Sequence, residues 1–399
     1  MKTNIALACV GSVVAIATFL VLRQIGSDAS KVVSGETVKT FLSQPIPDSH
    51  RILITKHHPL DPQEESIRFT SQVSKSSHQR IERRGMLVRK PGARAVILLC
   101  HGFMCNKEDV RFLRLIFDKY TTLSFDFRAH GEQTHNQTCT FGSLEMFDVI
   151  GAVDFIKSQP DLKHLPLIVY GFSMGAVSSI RAQAHAKLFD AAIWDCPFDS
   201  TDKLIERCIE RLKLNVAGYE FALPGRGMLK KYAYNSYVQD ILKAALKTVA
   251  KMDASCINTC MEPIDTTAAA EKISIPSFFI TCRNDAKAPP EAVTSVYNAT
   301  KGFKRFWITN GRHHFDSFFY NPERYARYIN EFITDFLNGN YQKQESSKIW
   351  EDSSETTVLA APALASPSHP AEVLKQPAIP AHPTEIAQNQ TPASTLAQL

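Results

Sequence analysis

Six short runs in this chain are apolar almost without interruption: "ARAVILLC" (93–100), "TTLSFDF" (121–127), "LPLIVYGF" (165–172), "DAAIWDC" (190–196), "IPSFFITC" (275–282) and "FKRFWIT" (303–309). A strand with one wet face alternates apolar and polar residues, whereas one apolar throughout is covered on both faces. Stretches of helical period separate several of them, among them "KEDVRFLRLIFDKY", "SLEMFDVIGAVDFIKSQ" and "SMGAVSSIRAQAHAK". Strand–helix alternation of this kind builds an α/β fold, a mostly parallel central sheet flanked by helices. The earlier runs "RILITKHH", "SIRFTSQV" and "QRIERRGMLVRK" alternate instead, which predicts antiparallel strands at the start of the domain.

Between about 199 and 272 the strand rhythm lapses. "TDKLIERCIERLKL" and "YNSYVQDILKAALKTVAKM" both have helical period, predicting an inserted helical cap at about 200–272. At the N-terminus, Lys2 precedes an uncharged run from Asn4 to Leu22 that ends at Arg23. That run is long enough to cross a hydrocarbon core as a helix, so residues 1–25 are expected to anchor the chain in a membrane. The nearest small-residue cleavage site, Ser27-Asp28-Ala29, lies beyond the polar Arg23-Gln24 pair; cleavage there would export the domain instead. Lys2 and Arg23 balance across the run, leaving its orientation open. A polar linker (26–50) then leads into a domain spanning 51–340. From 341 to 399 the chain is rich in Ser, Thr, Ala and Pro, with seven prolines between Pro362 and Pro392. Such a segment buries too little apolar surface to fold and is expected to be disordered.

The 44% hydrophobic content supports a sizeable core. A formal net charge of +5 comes from scattered residues (Arg80, Arg83, Arg84 and Lys90; Lys243, Lys247 and Lys251) without interleaved aromatics. They read as solvated faces, not as a nucleic-acid surface. Cys100, Cys196 and Cys282 fall in strand-like runs and are expected in the core; an odd total of nine cysteines argues against a fully paired disulfide framework. Cys256 and Cys260 have no nearby His or Cys pair to complete a zinc site. No metal or organic cofactor is implied.

Chemistry concentrates at "VYGFSMGAV" (169–177), where Gly-x-Ser-x-Gly joins an apolar strand to a helix. A serine hydroxyl attacks an acyl carbon only when a base takes its proton and donors stabilise the oxyanion. Ser173 is the candidate nucleophile, and the Met174 N–H at the helix start is one candidate donor. "ILLCHGFMCNKE" supplies the second at the Phe103 N–H, with His101 expected to shape that loop. Asp285 in "FFITCRNDAKAPP" follows a late strand and is the candidate acid; Asp195, one strand earlier, is its rival. "WITNGRHHFDSF" offers His313 and His314 as base, and a Gly-x-x-His pattern from Gly311 favours His314.

The landmarks "HGFM", "FDFRAHGEQ", "GFSMGA", "WDCPFDS", "RNDAKAPP" and "GRHHF" occur in the order found in α/β-hydrolase-fold serine hydrolases. Over about residues 80–338 the chain resembles the branch with serine aminopeptidase-like and monoacylglycerol-lipase-like members, which carry helical caps. The resemblance implies catalytic roles for Ser173, Asp285 and His314 and oxyanion roles for the Phe103 and Met174 amides. It also implies hydrolysis of carboxylic esters, with a small acyl ester or lipid-like molecule as substrate. An amidase or peptidase using the same residues is the alternative, and a non-catalytic membrane-anchored scaffold a third. "FDFRAHGEQ" departs from the family turn, with Ala129 where glycine is usual. In the cap region Phe198, Phe221, Leu223, Met228 and Tyr232 are candidates either for an acyl pocket or for the cap's own core.

Overall fold

The fully apolar runs pack side by side. In the computed structural model, which describes residues 64–132, 137–211, 213–216, 219–222, 225–236, 238–239, 258–343 and 348–352, β3 (Val96–Cys100), β5 (Leu167–Phe172), β6 (Ala191–Asp195) and β9 (Ser277–Cys282) are buried along their whole length. They are parallel neighbours, joined by β4 (Thr121–Phe125) on one side and β10 (Lys304–Thr309) on the other. β1 (Glu64–Gln72) and β2 (Arg80–Val88) pair antiparallel, and β2 runs antiparallel to β4. With β11 (Lys348–Glu351) beside β10, the resulting nine-stranded sheet has the order β1-β2-β4-β3-β5-β6-β9-β10-β11.

Both faces of the sheet are covered. Helices α1 (Glu145–Ser158) and α2 (Met174–Ala186) pack on one face, with residues from both in the core that also holds Leu98, Val169 and Trp194. The other face carries Leu99, Tyr170, Ile193 and Phe278 against Tyr325, Ile329, Phe332 and Ile333 of the long helix that closes the domain. The segment after β6 forms α3 (Thr201–Arg211), a two-stranded ribbon β7 (Lys213–Val216) and β8 (Tyr219–Ala222), and α4 (Arg226–Lys231). The short ribbon departs from an all-helical cap; most of the second expected cap helix, 240–252, lies outside the described residues. Chain order continues through α5 (Thr266–Ala270), α6 (Pro290–Ala299), α7 (Ser317–Tyr320) and α8 (Pro322–Leu337), the closing helix, capped by the Asn321 side chain on the Arg324 N–H.

Three expectations are corrected. The segment 107–120 is not an α-helix but a short 3₁₀ turn at Arg111–Leu115. Asn106 accepts the Glu108 and Asp109 N–H groups, Asp109 accepts the Asn106 N–H, and Asp126 accepts the Lys107 N–H. Those side chains take the backbone donors that would have opened a helix. Second, residues 348–351, expected within a disordered tail, form strand β11 (Lys348–Glu351) parallel to β10. It is held where Asp352 accepts from Trp307 Nε1 at 3.1 Å and from Arg324 at 2.9 Å. Third, Arg83 is not on a solvated face. It is buried, with its guanidinium donating to Gln137 Oε1 at 2.6 Å. Burial pushes its pKa down against the pull of Asp148.

The anchor run 4–22, the linker 26–50, Cys256, Lys243, Lys247, Lys251 and residues 353–399 lie outside the described residues. No helix among the described residues is long and apolar enough to cross a membrane. The six cysteines whose side chains are described, Cys100, Cys105, Cys139, Cys196, Cys260 and Cys282, are free.

One buried ion pair ties the turn after β4 to α1 and to the end of β1. Arg128 forks onto Asp148 through Nε (3.0 Å) and Nη2 (2.8 Å) and also donates to the Val73 and Gln72 carbonyls. Burial pushes the Asp148 carboxyl up, but the adjacent Arg128 guanidinium prevails and holds it below the usual range. Removing one partner leaves a buried charge uncompensated. Asp148→Ala is therefore expected to lower unfolding free energy by about 3–5 kcal/mol in urea titrations, whereas an exposed control, Asp161→Ala, stays within about 0.5 kcal/mol.

Candidate active site

Between β5 and α2 the chain reverses on one residue. Ser173 has φ +52° and ψ −122°, a conformation that costs a non-glycine residue about 1–3 kcal/mol. It is held there by its N–H on Asp195 O (2.9 Å) and by Val177 N–H on its own carbonyl (3.1 Å). The glycines on either side are obligatory. A Cβ at Gly175 would enter the carbonyl oxygens of Cys100 and His101, and one at Gly171 would lie 2.8 Å from Gly175 O.

Ser173 Oγ lies 2.8 Å from His314 Nε2, and His314 Nδ1 lies 2.7 Å from Asp285 Oδ2. A carboxylate accepts only, so the ring proton sits on Nδ1 and Nε2 is left to accept the Ser173 hydroxyl. Asp285 Oδ1 accepts the Lys287 and Ala288 N–H groups at 2.8 and 2.9 Å, which fixes the carboxylate in the turn after β9. His314 follows β10. Phe315 beside it has φ +60° and stacks on Phe172, the residue before Ser173, with ring centroids 3.7 Å apart. His313 is half-buried and outside this relay; its carbonyl accepts the Asp316 N–H.

The rival acid has a different partner. Asp195 is fully buried, its Oδ2 accepts from Tyr325 Oη at 2.7 Å, and Tyr170 Oη lies 2.7 Å from Tyr325 Oη. Burial pushes its carboxyl up to about 7, and the nearby Asp285 charge pushes the same way. The candidate oxyanion amides are placed as expected along the chain, with Phe103 in the turn after β3 and Met174 as the first residue of α2. Neither amide donates to an acceptor among the described residues. Ala129 has φ +62°, which explains why glycine suits that turn.

Sequence reasoning passes over two neighbours of the site. Cys196, at φ +44°, presents Sγ so that it, Asp285 and His314 have ligand atoms within 4.8 Å of one another. A cation held there would replace the proton His314 shares with Asp285. Burial and the adjacent Asp195 and Asp285 carboxylates push the Cys196 thiol well above its ordinary range, which keeps it protonated and a poor ligand. The other neighbour is His130, whose Nε2 accepts the Met104 N–H at 3.2 Å. Its signal in the sequence is its place in "FDFRAHGEQ", five residues past the end of β4. Of the cap candidates, Phe198 is buried in the main core, Tyr232 is half-buried and Met228 is exposed; the side chains of Phe221 and Leu223 lie outside the described residues.

Residues 97–328, more than half the chain, match the alpha/beta hydrolase family. The chain belongs to that family. It is 28% identical over 242 residues to the uncharacterized protein YqkD of Bacillus subtilis (strain 168), covering 59% of this chain and 70% of that one. Among solved structures it resembles the Pyrococcus furiosus esterase Pf2001 in two crystal forms. The first gives a TM-score of 0.51 at 22% identity, over 69% of this chain and 93% of the esterase. The second gives 0.51 at 21%, over 69% and 91%. These likenesses establish a common α/β-hydrolase fold.

His101 makes the site's stability pH-dependent. Burial first, and then neighbouring His130, push its pKa from 6.5 down to about 3. The folded chain keeps the ring neutral while the unfolded chain protonates it below about 6.5. Its contribution is thus complete above about 6.5 and declines as pH falls toward about 3, by up to about 1.4 kcal/mol per pH unit. Urea unfolding between pH 7 and pH 4 is expected to show a steeper loss in wild type than in His101→Gln.

Proposed function

We propose that this member of the family is a serine hydrolase that cleaves small-molecule carboxylic esters through an acyl-enzyme intermediate. The observation that carries the reading is the Ser173–His314–Asp285 hydrogen-bonded relay with Ser173 projected at a strained turn onto a helix N-terminus. Ser173 Oγ attacks the ester carbonyl carbon while His314 Nε2 takes the hydroxyl proton. The carbonyl oxygen becomes an oxyanion facing the Phe103 and Met174 amides. As the tetrahedral intermediate collapses, the C–O bond to the alcohol breaks and His314 returns the proton to the leaving oxygen. Water then attacks the acyl carbon while giving a proton to His314. As the second tetrahedral intermediate collapses, the bond to Ser173 Oγ breaks, His314 returns the proton to that oxygen, and the carboxylic acid leaves. Asp285 keeps the proton on Nδ1 throughout and offsets the charge of the imidazolium.

Ser173→Ala is expected to reduce hydrolysis of p-nitrophenyl acetate by about 10⁴-fold or more and to abolish labelling by a fluorophosphonate. Wild-type rates in the folded Ser173→Ala protein would reject the assignment. Asp285→Asn should lower kcat by about 10⁴-fold by stabilising the wrong His314 tautomer, whereas Asp195→Asn, outside the relay, should retain a far larger share of activity. Comparing kcat for p-nitrophenyl acetate and the matching anilide tests the preference for esters over amides.

A further inference from the structure

Phe103, whose amide is the second oxyanion donor in the proposed reaction, lies between two peptide planes that are each gripped by an imidazole. His101 Nδ1 is 2.8 Å from Gly102 O. The Gly102 carbonyl and the Phe103 N–H belong to one planar trans peptide and point in opposite directions. Fixing that carbonyl on His101 therefore aims the Phe103 N–H the other way. On the far side, Met104 N–H donates to His130 Nε2 at 3.2 Å, which fixes the plane carrying the Phe103 carbonyl. The grip is needed, because Met104 holds φ +63°, an unfavourable conformation for a residue with a side chain.

Each ring is itself anchored in the turn after β4. His101 Nε2 accepts the Phe127 N–H at 3.1 Å, and His130 Nδ1 lies 2.9 Å from Arg128 O. A ring that accepts an N–H at Nε2 and meets a carbonyl at Nδ1 is neutral and carries its proton on Nδ1. Both rings satisfy this, both are buried, and they meet edge to face at 5.3 Å. The Phe103 ring packs against the edge of His130 at 5.7 Å and against Phe141 at 4.6 Å, so its side chain is fixed as well as its backbone. Lys107 locks the end of the loop through its N–H and Nζ on Asp126, both at 2.8 Å.

We propose that His101 and His130 are paired positioning residues, two neutral imidazoles that hold the Phe103 amide aimed at the developing oxyanion. Neither acts as base and neither touches substrate. A preorganised donor does not have to reorient as charge develops, so the effect falls on the transition state more than on substrate binding. The inference rests on the hydrolase reading above.

The test compares His130→Leu, which removes the acceptor, with His130→Gln, which can return an oxygen acceptor to Met104 N–H, in the full-length chain. For p-nitrophenyl acetate, His130→Leu is expected to lower kcat by about 10- to 100-fold with KM within about threefold. Affinity for an aryl trifluoromethyl ketone, whose serine adduct carries the oxyanion, should weaken by a similar factor. His130→Gln should recover most of both losses. A His130→Leu protein with kcat within twofold of wild type, a loss confined to KM, or an unchanged inhibitor affinity overturns the proposal. So does a His130→Gln protein of wild-type melting temperature that is as impaired as His130→Leu. Nitrogen NMR of wild type needs no variant to fold: both rings should be neutral and Nδ1-protonated at pH 7, and a charged or Nε2-protonated ring in either overturns the proposal. A wild-type chain that neither hydrolyses the ester nor labels with fluorophosphonate removes the hydrolase reading and this inference together; an active wild type with an insensitive His130→Leu removes this inference alone.

Discussion

The chemistry of this chain depends on how closely α2 can approach the end of β3. At Gly175 the helix backbone runs against the Cys100 and His101 carbonyls, in space that no side chain can share. That approach brings the Met174 amide beside the loop carrying the Phe103 amide, and it forces the reversal that lifts Ser173 out of the sheet. Backbone strain at Ser173 is the result, and hydrogen bonds from β6 and α2 hold it in place. A bulkier residue at 175 would move helix and loop apart and separate the Met174 and Phe103 amides while leaving every polar side chain of the site present.

Within that frame, burial decides which titratable groups take part. Asp195 and Asp285 end or follow neighbouring strands, yet their surroundings drive them apart. Asp285 is met on three sides by donors: two backbone amides and the His314 ring. Asp195 is sealed beneath a chain of two tyrosines and is pushed toward the neutral form. The same dryness keeps His101 and His130 uncharged, which lets an imidazole serve as a rigid spacer with one donor and one acceptor.

The relay was legible in the sequence because each member follows an apolar strand in a fixed order, and local spacing from Gly311 singled out His314. Strand position favoured Asp285 over Asp195, but the partners that set the two apart, His314 on Asp285 and Tyr325 on Asp195, come from later segments of the chain. The failed helix at 107–120 has the apolar period of a helix, but Asn106 and Asp109 bind the backbone in turns and Asp126 claims Lys107. Strand β11 escaped notice because its few β-forming residues adjoin a tail-like composition, and its support, Trp307 and Arg324 on Asp352, is entirely tertiary. Arg83 read as a surface charge for the same reason: Gln137 and Asp148 are more than fifty residues away.

The unpaired cysteines acquire a meaning from where they lie. Cys100, Cys139, Cys196 and Cys282 are buried, and burial pushes each thiol above its usual range, with Cys105 driven up to about 12. The thiolate is the reactive form, so the four buried thiols are expected to react slowly with oxidants and alkylating reagents while the domain stays folded. Each becomes reactive only when its own surroundings open. The rate at which a thiol is trapped thus reports the free energy of opening at that point, with Cys100 reading β3 and Cys282 reading β9.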